Sequence, residues 1–217
     1  MEDAKTVMRL IRPALVALAL TLAAAIFAPA GAWAAPVRIL MLGDSITAGY
    51  GLAPEDALPR QLQDRLRKDG FDATVLDAGV SGDTTAGGRS RLAWALGDKP
   101  THVIIALGGN DLLRAIDPKD TRANLDAILA ELKNRNIPTM LVGMMAPANL
   151  GRGYAAEFDP IYPDLARKYG VKLYPFLLDG VALDAKLNQQ DGIHPNPQGV
   201  KVIVDRLAPQ VEMLIRD

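Results

Sequence analysis

Ile39-Leu-Met-Leu-Gly-Asp-Ser-Ile-Thr-Ala-Gly-Tyr-Gly51 decides how the rest of the chain is read. The apolar run from Val37 to Leu42 stops at Gly43-Asp44-Ser45, and small and polar residues follow. A buried strand that ends at an exposed turn has this pattern, here with a small nucleophile just past its carboxyl end. In open α/β sheets, ligands collect outside the carboxyl ends of the strands, so Ser45 stands where chemistry can occur. A cap on the following helix would use Asp44 or Ser45 equally well. The rest of the chain has to decide between the two.

Outward from this stretch, apolar runs alternate with helical patterns. Thr74–Leu76, His102–Leu107, Ile137–Met144 and Val171–Tyr174 read as further strands. Between them, Asp56–Lys68 presents Leu58, Leu62 and Leu66 on one face, and Thr85–Leu96 is expected to be helical. Asp117-Pro118 opens a helix that carries Leu125, Ile128, Leu129 and Leu132 as one stripe. Tyr154–Tyr169 reads as a helix, with Pro160 and Pro163 near its start or bending it. Gly199–Leu207 closes the chain with Val200, Ile203, Val204 and Leu207 inward, and Pro209 is expected to kink or restart it. Asn149–Gly153 and Leu178–Gln190 read as loops. Strands alternating with helices imply right-handed crossovers and a parallel sheet covered on both faces, an α/β fold.

The 217 residues suit one domain with a sizeable core, and a formal charge of −1 without a basic cluster argues against nucleic acid as a partner. Arg9 and Arg12 precede an apolar run from Ala14 to Phe27, and Ala32-Trp33-Ala34 offers a small-x-small cleavage pattern. Residues 1–34 therefore read as a secretory signal peptide, with the domain at 35–217 and a periplasmic or secreted destination. The competing reading, an uncleaved anchor, needs about 20 apolar residues in a row. The absence of Cys removes disulfides, a thiol nucleophile and thiolate metal sites, and two His, His102 and His194, leave little for a metal.

Four polar stretches each follow or flank a strand: Gly43-Asp44-Ser45, Ser81-Gly82-Asp83-Thr84, Gly108-Gly109-Asn110-Asp111 and Asp191-Gly192-Ile193-His194-Pro195. A Ser hydroxyl needs a base to take its proton, and a His base needs an acceptor to fix its tautomer. Asp191 and His194, three residues apart, are suitable types. A developing oxyanion needs preorganised donors, which a Gly N–H and an Asn amide can supply. Gly82 and Asn110 qualify, although turn geometry alone also accounts for both. Asp44, Asp83 and Asp111 read as loop-bracing residues, and His102 as packing or surface.

Taken together and in this order, the four stretches resemble the SGNH/GDSL hydrolases, specifically the bacterial exported arylesterase, acyl thioesterase and lysophospholipase branch. Ile46 stands where the family's first block usually has Leu. The resemblance implies a flavodoxin-like three-layer α/β/α sandwich around a central parallel sheet of about five strands. It implies Ser45 as nucleophile, His194 as base and Asp191 as its orienting acid. The oxyanion hole would comprise the N–H groups of Ser45 and Gly82 and the side chain of Asn110. No Gly-x-Ser-x-Gly elbow surrounds Ser45, which separates it from the α/β-hydrolase pattern.

The expected activity is hydrolysis of short- to medium-chain acyl esters, including aryl esters, with thioesters and lysophospholipids as family possibilities. No cofactor or metal is expected, so chelators should leave activity intact. Met145, Leu150, Phe176 and Leu178, with Met144, Pro147 and Leu177, are apolar residues near loop ends that could line an acyl pocket. Ordinary core accounts for them equally well. A carbohydrate O-deacetylase would need aromatic sugar platforms, and a non-catalytic flavodoxin-like binding protein would have no use for Ser45, Asp191 and His194 together.

Overall fold

A computed structural model describes residues 36–217. The signal peptide expected at 1–34 lies outside the described residues, as does the first residue of the expected domain. Five strands, β1 (Val37–Gly43), β2 (Ala73–Gly79), β3 (His102–Ala106), β4 (Thr139–Val142) and β5 (Lys172–Tyr174), form one sheet. All four pairings are parallel and the order is β2-β1-β3-β4-β5. This is the flavodoxin-like doubly wound order, with its switch point between β1 and β3.

Register places the chemistry. Gly43, the last residue of β1, lies opposite Gly79 of β2 and Ala106 of β3. The three strands end level, so the segments that follow them emerge side by side. Ile39–Leu42, Val103–Ile105 and Met140–Val142 are at most 1% exposed, the continuous apolar runs of strands covered on both faces.

One face carries α1 (Leu58–Lys68) and α7 (Pro197–Arg216), packed on each other. The other carries α2 (Thr85–Ala95), α4 (Pro118–Asn134) and α6 (Ile161–Tyr169). The α1 stripe Leu58, Leu62 and Leu66 is fully buried, as are Leu125 and Ile128 of α4. Two shorter helices, α3 (Gly109–Leu113) and α5 (Gly151–Phe158), flank the carboxyl end of the sheet.

Local chemistry explains where the expected boundaries moved. The single helix over 154–169 is two, because Pro160 cannot continue the ladder of α5; Asp159 at the junction accepts a hydrogen bond from the Ala146 N–H at 2.9 Å. The closing helix runs unbroken through Pro209 to Arg216, since Val211 and Leu214 extend the buried stripe of Ile203 and Leu207. Asn196 caps its start, accepting from the Gln198 and Gly199 N–H groups at 3.0 Å. β4 is shorter than the apolar run 137–144, matching a partner strand of three residues. The segment 149–153 is not a loop but the end of a 3₁₀ turn, Ala148–Leu150, and the start of α5.

Candidate active site

The turn that carries Ser45 is built by packing. Ser45 is half-buried just beyond β1, between Asp44 and Ile46, both buried. Gly43 has to be glycine because Thr47 folds back beneath it: a Cβ at position 43 would stand 1.9 Å from Thr47 Oγ1. Arg91 of α2 reaches across, donating to the Gly43 carbonyl at 2.9 Å and pairing with Asp83 at 2.5 Å.

Asp191 and His194 come from a loop with little regular structure. The His194 and Ile193 N–H groups donate to Asp191 Oδ1 at 3.0 and 2.9 Å. His194 Nδ1 donates to Asp191 Oδ2 at 2.6 Å, which leaves Nε2 as acceptor for the Ser45 hydroxyl at 2.9 Å. That tautomer follows from the carboxylate partner. The backbone N–H bonds, then the imidazole, hold the Asp191 carboxyl down at about 2. The Tyr50 ring lies against the imidazole, centroids 4.7 Å apart.

Asn110 sits in the first turn of α3 and lines the same cleft as Ser45 and His194. Gly82 lies in the turn after β2 with φ +83°, outside the cleft lining, and its carbonyl accepts from Arg114 Nη2 at 2.8 Å. Arg114 caps the end of α3, so one guanidinium ties the Gly82 turn to the helix bearing Asn110. Asp111 braces these elements: buried, it accepts from the Thr85 N–H and hydroxyl at 2.8 and 2.5 Å and from the Thr121 hydroxyl at 3.0 Å. His102 hydrogen-bonds Thr101 at the opposite end of β3, and burial lowers its pKa.

The cleft beside Ser45 has a volume of about 360 Å³, and Met144, Met145, Pro147, Phe176 and Leu178 line it. Two expected lining residues do not. Leu150 ends the 3₁₀ turn and packs on the main core, and Leu177 is drawn into the interior, 1% exposed, with its N–H on the Gly143 carbonyl. Leu112, Leu113, Leu183 and Ile193 complete the wall. Leu183 is 97% exposed at φ +66°, a position that its apolar character gave no reason to expect at a rim. Asp44 also borders the cleft, and burial pushes its carboxyl up to about 6 despite a hydrogen bond from the Ile46 N–H.

A parallel sheet in this order, with a hydrogen-bonded Ser45–His194–Asp191 chain at its carboxyl end, is the arrangement expected of an SGNH/GDSL hydrolase. The chain belongs to the GDSL-like Lipase/Acylhydrolase family, whose model matches residues 41–202. It is 39% identical over 183 residues to the thioesterase 1/protease 1/lysophospholipase L1 of Escherichia coli K12, covering 84% of this chain and 86% of that protein. It is 36% identical over 175 residues to an arylesterase of Vibrio mimicus, covering 80% and 88%. Among solved structures, AlinE4, an SGNH-hydrolase family esterase, aligns with TM-score 0.70 and 48% identity over 82% of this chain and 95% of that one.

Proposed function

We propose that the protein is an exported serine esterase acting on short- to medium-chain acyl esters, aryl esters among them, through an acyl-enzyme. The observation that carries the reading is the continuous chain from Asp191 Oδ2 through the imidazole to Ser45 Oγ, at 2.6 and 2.9 Å. His194 takes the Ser45 proton as Oγ attacks the carbonyl, then returns it to the leaving alcohol or thiol. Asp191, charged throughout the physiological range, orients the ring and stabilises its cation. The Ser45 and Gly82 N–H groups and the Asn110 amide receive the oxyanion. Water then regenerates the hydroxyl by the same route.

The cleft supports an acyl substrate: its apolar walls are Met, Leu, Ile, Ala and Pro, with Phe176 the one aromatic carbocycle among the described lining residues. A sugar platform would want more than that, and Trp94, 80% exposed on α2, is not part of the wall. Thioesters and lysophospholipids stand as further substrates by analogy with the Escherichia coli relative. Export rests on the leader pattern at 1–34. Among the described residues no helix is long and apolar enough to cross a membrane.

Hydrolysis of p-nitrophenyl esters from acetate to palmitate, with Ser45→Ala in parallel, tests the reading. A peak at short or medium chains that vanishes in the variant is the expected result. A folded protein inactive on every chain length would overturn the acyl-ester assignment.

A further inference from the structure

The proposed nucleophile and base are 149 residues apart in sequence and belong to segments held by different means. We infer that Gln189 is the positioning residue that locks the His194 loop onto the nucleophile turn, deepening the serine-hydrolase reading and resting on it.

Its side-chain Nε2 donates to the Tyr50 carbonyl at 2.7 Å and to the Pro195 carbonyl at 3.0 Å. Its backbone N–H donates to the His194 carbonyl at 2.8 Å. The Tyr50 N–H in turn donates to the Ser45 carbonyl at 3.0 Å. The main chain of the nucleophile is thus linked to the main chain of the base through three hydrogen bonds, and the Gln189 amide is the one side chain in the path. The residue whose carbonyl the amide holds also lays its ring against the imidazole, centroids 4.7 Å apart.

The chemistry of the position is specific. Two carbonyl oxygens converge on one nitrogen, so the group must be a double N–H donor at the end of a Gln-length chain. Glu would present oxygen to oxygen, Asn is a methylene too short, and Met fills the space without a donor. The turn makes room for the amide as well: Gly51 has φ +74°, and a Cβ there would stand 2.2 Å from Gln189 Oε1. Gly51→Ala is therefore a second lesion at the same clamp, made from the opposite segment.

Because the clamp sets the Ser45–His194 geometry and not the acyl cleft, its loss should appear in kcat. A misplacement of about 1 Å at reacting groups costs about 100-fold. Gln189→Met, Gln189→Glu and Gly51→Ala are compared with wild type on p-nitrophenyl butyrate. Gln190→Ala, an exposed neighbour, serves as control and Ser45→Ala tests the underlying reading. We expect kcat to fall about 10- to 100-fold in Gln189→Met and Gly51→Ala. KM should stay within about twofold, and labelling by a fluorophosphonate should slow by the same factor as kcat.

Gln189→Glu should carry the larger loss at pH 8. The ratio of its rate to wild type should rise toward pH 5, as the carboxyl protonates and regains one O–H donor. Normal kcat in a folded Gln189→Met, a loss confined to KM, or a Gln189→Glu ratio flat with pH would each overturn the clamp. Retained activity in Ser45→Ala would instead overturn the serine-hydrolase reading, so the two failures are distinguishable.

Discussion

The Ser45 turn and the Asp191–His194 loop meet at the proposed active site by two kinds of construction. From Ile39 to Thr47 every residue but Ser45 is buried; the turn is set by the end of β1, the flanking strands and the core beneath. The Thr47 hydroxyl, fully buried, has no hydrogen-bond partner among the described residues. The loop over 178–196 is mostly exposed and short of regular structure. Amides hold it instead. Asn188 Nδ2 donates to the Val181 and Asp184 carbonyls at 2.7 and 2.8 Å, and Asn196 Nδ2 to the Lys186 and Asn188 carbonyls at 2.8 and 3.3 Å. Burial positions the proposed nucleophile; directional hydrogen bonds position the proposed base. Lesions of stability and lesions of chemistry should therefore separate along the chain.

The sharpest separation is expected at Asp191. Asp191→Asn keeps an oxygen for the loop's backbone N–H groups but removes the charged acceptor that fixes the imidazole tautomer, so kcat should fall by about 10⁴-fold with only a modest fall in melting temperature. A loss under tenfold would break the contrast. Leu42→Ala is its mirror image: a fully buried side chain at the root of the turn, worth about 2–5 kcal/mol in denaturant melts, with kcat per folded molecule nearly unchanged. Asn110→Ala should cost about 3–4 kcal/mol of transition-state stabilisation, seen as a fall in kcat of two to three orders of magnitude. Unchanged turnover would remove Asn110 from the oxyanion hole.

Smaller effects sharpen the picture through pH. The Asp44 carboxyl, raised from 3.8 to about 6 by burial, binds its proton more tightly in the folded protein than in the unfolded chain. Its contribution to stability therefore falls as pH rises from about 4 to about 6. Asp191, held at about 2 against 3.8, acts in the opposite sense, and its contribution is lost as pH falls from about 4 to about 2. Asp44→Asn keeps an acceptor for the Ile46 N–H and should flatten the melting-temperature decline between pH 4 and 6; an unchanged profile would contradict the assignment. Smallest of all, Thr47→Val exchanges an unpartnered buried hydroxyl for a methyl and should raise stability by about 1 kcal/mol in a urea melt.

The same division governs what could be read from the amino acids alone. β1, the α1 stripe and the Asp117-Pro118 helix start were legible because burial leaves periodicity and caps leave local signatures. Ser45, Asp191 and His194 could be singled out as candidates because few residue types support that chemistry, and the fold brings the three into one hydrogen-bonded chain. The break at Pro160 could have been read from the proline, but the continuity through Pro209 rests on packing at Val211 and Leu214, which local propensity does not encode. Nor do single residues announce which apolar loop positions turn inward: Leu177 went to the core and Leu150 packed half-buried against it, while Leu183 stayed outside. Gln189 looked like any loop glutamine, since its partners at Tyr50 and Pro195 meet only once the chain has folded.

The central claim is that Ser45 is activated by His194. Fluorophosphonate labelling of the wild-type protein, with the adduct located by peptide mass spectrometry, tests it most directly. The account predicts one adduct per chain, on Ser45, and its loss when His194 is replaced by Ala. A folded protein that takes no label, or takes it on another residue, would contradict it.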